Sequence, residues 1–292
     1  MGTRRPQTQI IDGVRRCLWL DPEIYRTNLA FRASSGDIVQ CSFPKSGTHW
    51  VQFIIQMILK GGEPITTYVE FLQNMRFIEY VKAEQWTPTL PARCYLTHVP
   101  LRAETMNRDA KYVYVARNPW DVCVSLFHQV TNMSVYQFQD GTFDDYFDHL
   151  ASGYRLKDEP NVFFLTYEEL KADTKGAILR LARFLGDEYG SVLEKNEELL
   201  QKILEWSTSE RMRKIAWAEQ YGRVTASCKE GYEGDSTKYG VVRKAKVGDW
   251  KQHFTAQQLS RFEKKIRDEG DNASFMQLWK DIREEAIAMS ST

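Results

Sequence analysis

Residues 41–50 read Cys-Ser-Phe-Pro-Lys-Ser-Gly-Thr-His-Trp, and their reading decides the fold. An apolar-rich run over 37–43 leads in and has the composition of a buried strand. Beyond the loop, Trp50, Phe53, Ile54, Met57 and Ile58 fall on one stripe at helical spacing. Strand, small-residue loop and helix together aim backbone N–H groups and the positive end of a helix at an anion. Lys45, Ser46 and Thr48 add side-chain donors at the same spot. The stretch is therefore predicted to hold a phosphate or sulfate group.

This is not a Walker A loop, which needs Gly-x-x-x-x-Gly-Lys-Ser/Thr with the Lys after the second Gly. Here Lys45 precedes Gly47, and neither Gly-Lys-Ser/Thr nor Gly-x-Gly-x-x-Gly occurs anywhere. A nucleotide kinase, which would need ATP and magnesium, loses its main support. Lys plus Arg equals Asp plus Glu at 39 each, so no global field attracts nucleic acid or an anionic membrane, and an anion site must be local. Five cysteines without Cys-x-x-Cys spacing argue against a disulfide framework or a zinc site and for a reducing compartment. Met-Gly-Thr-Arg-Arg-Pro lacks the apolar core of a signal peptide, and no apolar run approaches the roughly 18 residues that cross a bilayer. A soluble cytoplasmic protein without a metal is expected.

Apolar runs over 37–43, 94–99, 111–116 and 161–167 are nearly continuous, as strands buried on both faces are. Helical patterns cover 49–60, 119–131, 143–153, 174–185, 191–206, 255–268 and 275–288. Strands alternating with helices predict one α/β domain over residues 1–292, with a mainly parallel central sheet flanked by helices on both faces. Such sheets bind ligands beyond the carboxyl ends of their strands. Residues 1–10 are expected to be a flexible tail. Residues 61–93 and 216–249, irregular and rich in Gly and aromatics, are expected to be substrate or cofactor loops.

Three further pieces carry chemistry. Asn118 suits an N-cap and Pro119 a first helical residue; Ser125, about two turns on, shares the helix's opening face with Arg117, so both can converge on one anion. Arg243-Lys244-Ala245-Lys246-Val247-Gly248-Asp249-Trp250 places three cations within four residues ahead of Gly and an aromatic, a segment able to wrap a phosphate. His98 follows a strand at its carboxyl end and so faces the crevice in which such sheets bind ligands.

These motifs resemble those of the cytosolic sulfotransferases, from about residue 11 to about residue 288. Pro44-Lys45-Ser46-Gly47-Thr48-His49-Trp50 is similar to that family's loop for the 5′-phosphosulfate of 3′-phosphoadenosine 5′-phosphosulfate (PAPS), with His49 in place of a Thr. Val115-Ala116-Arg117-Asn118, Asp121-Val122 and Val124-Ser125 resemble its 3′-phosphate segment. The 243–250 stretch is similar to its Arg-Lys-Gly-x-x-Gly-Asp-Trp motif, with Ala245 in place of Gly. The cost of Ala there depends on whether the backbone takes a positive φ. Leu96-Thr97-His98-Val99-Pro100 resembles Lys-Thr-His-x-Pro and implies His98 as the base.

Leu96 is the main departure, because Lys is usual there and polarises the sulfuryl group; Lys45 is then expected to carry that role alone. The resemblance also implies adenine contacts at Trp50, Tyr167 and Ser207, though Ser209 replaces a stacking Phe. It implies acceptor-pocket walls at Phe77 and Tyr80. The family's dimer pattern survives only as Lys251, Thr255 and Ala256, with Ser260 for Glu, which leaves a homodimer open. The expected activity is sulfuryl transfer from PAPS to a hydroxyl or amine of a small aromatic acceptor, with no metal. The alternative is a PAPS- or PAP-binding relative with weak or no turnover, because of Leu96.

Overall fold

The computed structural model describes residues 8–17, 20–132, 144–215 and 242–291. Five strands make one sheet in the order β4-β5-β3-β6-β7: β3 is Ile38–Ser42, β4 Arg76–Phe77, β5 Cys94–Thr97, β6 Lys111–Ala116 and β7 Val162–Thr166. Every neighbouring pair in it is parallel. The strand that opens the 41–50 stretch is thus the central one, and all five of its residues are buried. Its near-continuous apolar run follows from having both faces covered.

The period-2 alternation of side chains sorts the sheet into two cores. Val39, Cys41, Tyr95, Tyr112, Tyr114 and Ala116 pack with Trp120, Tyr146, Phe147 and Leu259 on one face. Ile38, Leu96, Val113 and Val115 pack with Val51, Ile54, Ile178 and Ile203 on the other. The first face is covered by α4 (Pro119–Asn132), α5 (Asp144–Arg155) and the helices Ala256–Asp268 and Lys280–Ser290. The second is covered by α2 (Thr48–Leu59), α7 (Thr174–Leu185), α8 (Asp187–Lys195), α9 (Glu197–Trp206) and α10 (Ser209–Ile215). Shorter helices, α1 (Pro22–Leu29), α3 (Tyr68–Gln73) and α6 (Tyr167–Ala172), complete the described set. This is the α/β architecture expected from the sequence.

Several boundaries differ. The pattern over 191–206 is two helices, because Asn196 turns the chain and its side chain accepts from Leu199 N at 2.9 Å to cap α9. The pattern over 275–288 starts as the 3-10 helix Gly270–Trp279 and becomes α-helical only at Lys280. Residues 1–10 are not all a free tail. Thr8–Ile11 (β1) pairs antiparallel with Val14–Cys17 (β2) through Asp12-Gly13, both at positive φ (51° and 79°), the two-residue turn that suits a twisted hairpin. Residues 61–93 are not wholly irregular, since they supply α3 and the edge strand β4, elements too short to show a period. Of the 216–249 loop only 242–249 lie within the described residues. Lys251 pairs with Glu285, and Thr255 builds a capping box with Gln258, so two of the three survivors of the dimer pattern have partners within the chain.

Candidate active site

Parallel strands all end on one edge, and here the ends are level. Cys41 pairs with Thr97, Ser42 with Val115, and Ala116 with Thr166. The residues just past those ends are Phe43 to Gly47 after β3, His98 after β5, Arg117 after β6 and Tyr167 after β7. Topology alone therefore gathers most of the residues singled out in the sequence.

The loop after β3 is held from several sides. Gln40 Nε2 donates to the Thr48 carbonyl at 2.9 Å, and the Ser42 and Thr48 hydroxyls bond at 2.8 Å. Gly47 sits at φ +99°, and a Cβ there would lie 2.8 Å from Cδ2 of Tyr167, so only glycine fits. Lys45 itself adopts a φ of 71°. Arg117 spans the loop and the basic segment: its Nη1 donates to the Lys45 carbonyl at 3.1 Å and its Nη2 to the Lys246 carbonyl at 3.2 Å. Its guanidinium lies 4.3 Å over the Tyr167 ring. Burial, and then the positive charges of Arg117 and Arg243, lower the Lys45 ammonium to about 8. Among the described residues, Ser46 Oγ, Arg117 Nε and Arg243 Nε are buried donors with no partner. Mutually repelling cations with buried donors to spare suit a multiply charged anion such as a phosphosulfate nucleotide.

The basic segment is anchored differently. Asp121, fully buried near the start of α4, accepts Gly248 N at 2.9 Å and Trp250 N at 3.1 Å. Asn118 caps α4 through Oδ1, which takes Asp121 N at 2.8 Å, and its Nδ2 donates to Asp121 at 2.9 Å. Ser125, half-buried, stands one turn beyond Asp121 on the face that meets this segment. Asp249 gathers Arg243 at 2.5 Å and Lys244 at 2.8 Å. Those bonds and charges outweigh the opposing effect of burial, which is the largest single one, and hold its carboxyl at about 2. Ala245 takes a φ of 53°, the condition under which Ala in place of Gly has a cost.

Trp50 meets Tyr167 edge-on at 5.4 Å, with the Lys171 ammonium 5.4 Å over its ring. Ser207, also buried, donates to the Leu204 carbonyl at the end of α9. His98 Nδ1 lies 2.6 Å from the Ser42 carbonyl, which can only accept, so Nδ1 carries the proton and Nε2 is left as the acceptor. Burial pulls His98 down to about 4; the bond to Ser42 opposes this and the Lys45 charge adds to it. Phe77 sits edge-on to His98 at 5.2 Å and to Tyr80 at 4.5 Å, so the two expected pocket walls adjoin the base. His49 turns to Tyr68, whose hydroxyl is 2.9 Å from Nε2, and lies parallel to Phe71 at 5.5 Å. Leu96 is fully buried in the apolar cluster with Ile38 and Val51, in register with Gln40 on the neighbouring strand. Asp121 and Asp249 were legible only as parts of motifs. Glu79, whose carboxylate takes the His98 N–H, gave no signal in the sequence.

Residues 35–280 match the family described as the sulfotransferase domain. The chain belongs to the sulfotransferase family. Its relatives include the amine sulfotransferase of Oryctolagus cuniculus, 30% identical over 88% of this chain and 87% of that one. Sulfotransferase 1C2 of Rattus norvegicus is 30% identical over 80% of this chain and 82% of its own length. The crystal structure of a mouse sulfotransferase complexed with PAP has the same fold, with a TM-score of 0.70 and 23% identity over 95% of this chain and 100% of that one. This sulfotransferase is accordingly a transferase by class, and its matched region takes in every residue assigned to the site above. No helix among its described residues is long and apolar enough to cross a membrane.

Proposed function

We propose that this sulfotransferase moves the sulfuryl group of PAPS to the hydroxyl or amine of a small aromatic acceptor in the cytoplasm. The observation that carries the proposal is the placement of His98. Its Nδ1–H is bonded to the strand that opens the anion loop, so Nε2 is the free base beside Lys45. When bound, PAPS supplies a sulfur whose bond to the 5′-phosphate oxygen breaks as the acceptor oxygen attacks. His98 Nε2 takes the acceptor's proton. Lys45, the loop amides and Ser46 neutralise the charge arriving on the phosphate, as preorganised donors do in phosphoryl transfer. Arg117, Ser125, Arg243, Lys244 and the Ala245 N–H would hold the 3′-phosphate. Gly47, Thr48 and His49 would shape and line the 5′ loop. Trp50, Tyr167 and Ser207 would flank adenine, and Phe77 and Tyr80 the acceptor ring.

A His98 held down near 4 in the free protein is a weak base, and a bound anion beside it raises its proton affinity toward neutrality. Nucleotide binding therefore switches the base on. The test is transfer of [³⁵S]sulfate from labelled PAPS to 4-nitrophenol and to a panel of aryl amines and sterols. His98→Ala is expected to abolish transfer while leaving PAP binding, measured by calorimetry, intact. The second reading, nucleotide binding without turnover, is favoured by Leu96, which supplies no cation from its buried site. PAP binding with no transfer to any acceptor would establish that reading instead.

A further inference from the structure

Glu79 is a buried carboxyl group with no part in the chemistry above. Its Oε1 accepts the Thr97 hydroxyl at 2.7 Å and the His98 N–H at 2.5 Å. Thr97 Oγ1 in turn accepts Val99 N at 2.9 Å. The peptide groups on both sides of His98 are thereby tied, one directly and one through Thr97, to a single oxygen. The other oxygen, Oε2, is buried and has no partner among the described residues. A carboxyl group kept in the interior with one oxygen left without a partner is costly unless what the other oxygen holds must be held. Burial, the largest effect, raises its pKa to about 7, while the bonds from Thr97 and His98 pull it back.

The ring of His98 has a separate fastening, Nδ1 to the Ser42 carbonyl on the neighbouring strand. Two attachments are needed to aim an imidazole: one fixes where its Cα sits and the other fixes the rotation of the ring. Ser42 provides the second. We propose that Glu79 provides the first, as the positioning residue that sets the backbone of His98 so that Nδ1 meets Ser42 and Nε2 faces the acceptor. The proposal rests on His98 being the base, but its structural content does not depend on any acceptor.

The test is ¹⁵N NMR of histidine-labelled full-length protein, with the His98 signals assigned by their loss in His98→Ala. The parent is expected to show a protonated Nδ1, a bare Nε2 and titration well below the usual histidine range. Glu79→Ala is expected to give averaged tautomers and a titration moved toward 6.5. It should also slow transfer to 4-nitrophenol on the order of 100-fold, the scale of a 1 Å misplacement, with PAP affinity unchanged. Glu79→Gln keeps an acceptor at Oε1 and is expected to restore the parent tautomer and rate. An Ala variant with the parent tautomer and titration overturns the proposal, as does a Gln variant that behaves like Ala. Should Glu79→Ala fail to fold, Glu79→Asp, one methylene short of His98 N, is read the same way, and an intact tautomer there overturns it too. Absence of transfer in the parent would count against the proposed function alone, since the NMR measurement needs no turnover.

Discussion

The two ends of the proposed anion site solve the same problem in opposite ways. At the 43–48 loop like charges are brought close together and buried. Lys45 sits among other cations, its pKa drops to about 8, and the loop is shaped by a buried strand, a glycine with no room for a Cβ, and backbone bonds. At the 243–250 segment two carboxylates do the holding. Asp121 grips the backbone at Gly248 and Trp250, and Asp249 carries the charge of Arg243 and Lys244. The first end stores electrostatic attraction for a ligand and has a scaffold to contain the repulsion. The second has almost no regular structure and needs internal anions to define it. Rigidity supplied by fold and rigidity supplied by charge fail differently, and that difference can be measured.

The largest effect is expected at the loop end. Lys45→Met removes the cation proposed to neutralise the leaving phosphate and should cut the transfer rate on the order of 100- to 1,000-fold, the usual cost of one such donor. It should also change the pH dependence. In the parent, PAP affinity is expected to hold steady up to about pH 8 and fall above it, as Lys45 loses the proton that attracts the anion. In Lys45→Met that alkaline fall should vanish from the calorimetric titrations. A fall that persists unchanged would mean another group carries it.

Next comes the anchor of the other end. Asp121→Ala orphans one buried and one partly buried backbone N–H group and leaves the buried Arg117 without the carboxylate 3.7 Å away. A loss of about 3 kcal/mol in urea unfolding is expected, with weakened PAP binding but an unaltered His98 tautomer. A variant that keeps its PAP affinity would show that the basic segment is ordered by something other than Asp121.

The same contrast explains what was legible in the sequence. The 43–48 end is readable because its determinants are local: an apolar strand, Pro-Lys-Ser-Gly and an amphipathic helix follow one another in the chain, and the parallel topology then delivers His98, Arg117 and Tyr167 without further information. The Asp12-Gly13 hairpin was not read from the sequence, which suggested a flexible tail over 1–10, because its two four-residue strands are too short to show a pattern. The 243–250 end is not readable in that way. Its cations alone read equally well as a solvated charge run, and what organises them, Asp121, lies more than 120 residues earlier, in a motif that does not mark it as their partner. Glu79 is hidden for the same reason, because its meaning depends on a strand neighbour that only the sheet order reveals.

Smaller effects separate the two carboxylates. Asp249 has a folded-state pKa below its ordinary value, so the stability it contributes is present above about pH 4 and is lost as pH falls through about 2. Its partners are partly exposed, so the pairing is worth no more than about 1 kcal/mol. Asp249→Asn is expected to lower stability by that amount at pH 7 and to flatten the acid limb between pH 4 and 2. A larger loss at neutral pH would make Asp249 a second anchor rather than a counter-ion.

The smallest effect is also the most diagnostic of how the segment is held. Ala245 occupies the left-handed region at φ 53°, where an L-residue with a Cβ is disfavoured by roughly 1–2 kcal/mol relative to glycine. Glycine would remove that strain but add backbone entropy to the unfolded chain, worth about 0.4–1 kcal/mol in the other direction. Ala245→Gly is therefore expected to raise stability by about 0.5 kcal/mol, read as a small upward shift of the urea midpoint at constant slope. Because the N–H at position 245 is the same in both residues, PAP affinity should hardly change. If affinity instead rises severalfold with no gain in stability, the left-handed conformation is imposed when the anion binds rather than by Asp121 and Asp249, and the charge-built end of the site would then be shaped by its ligand.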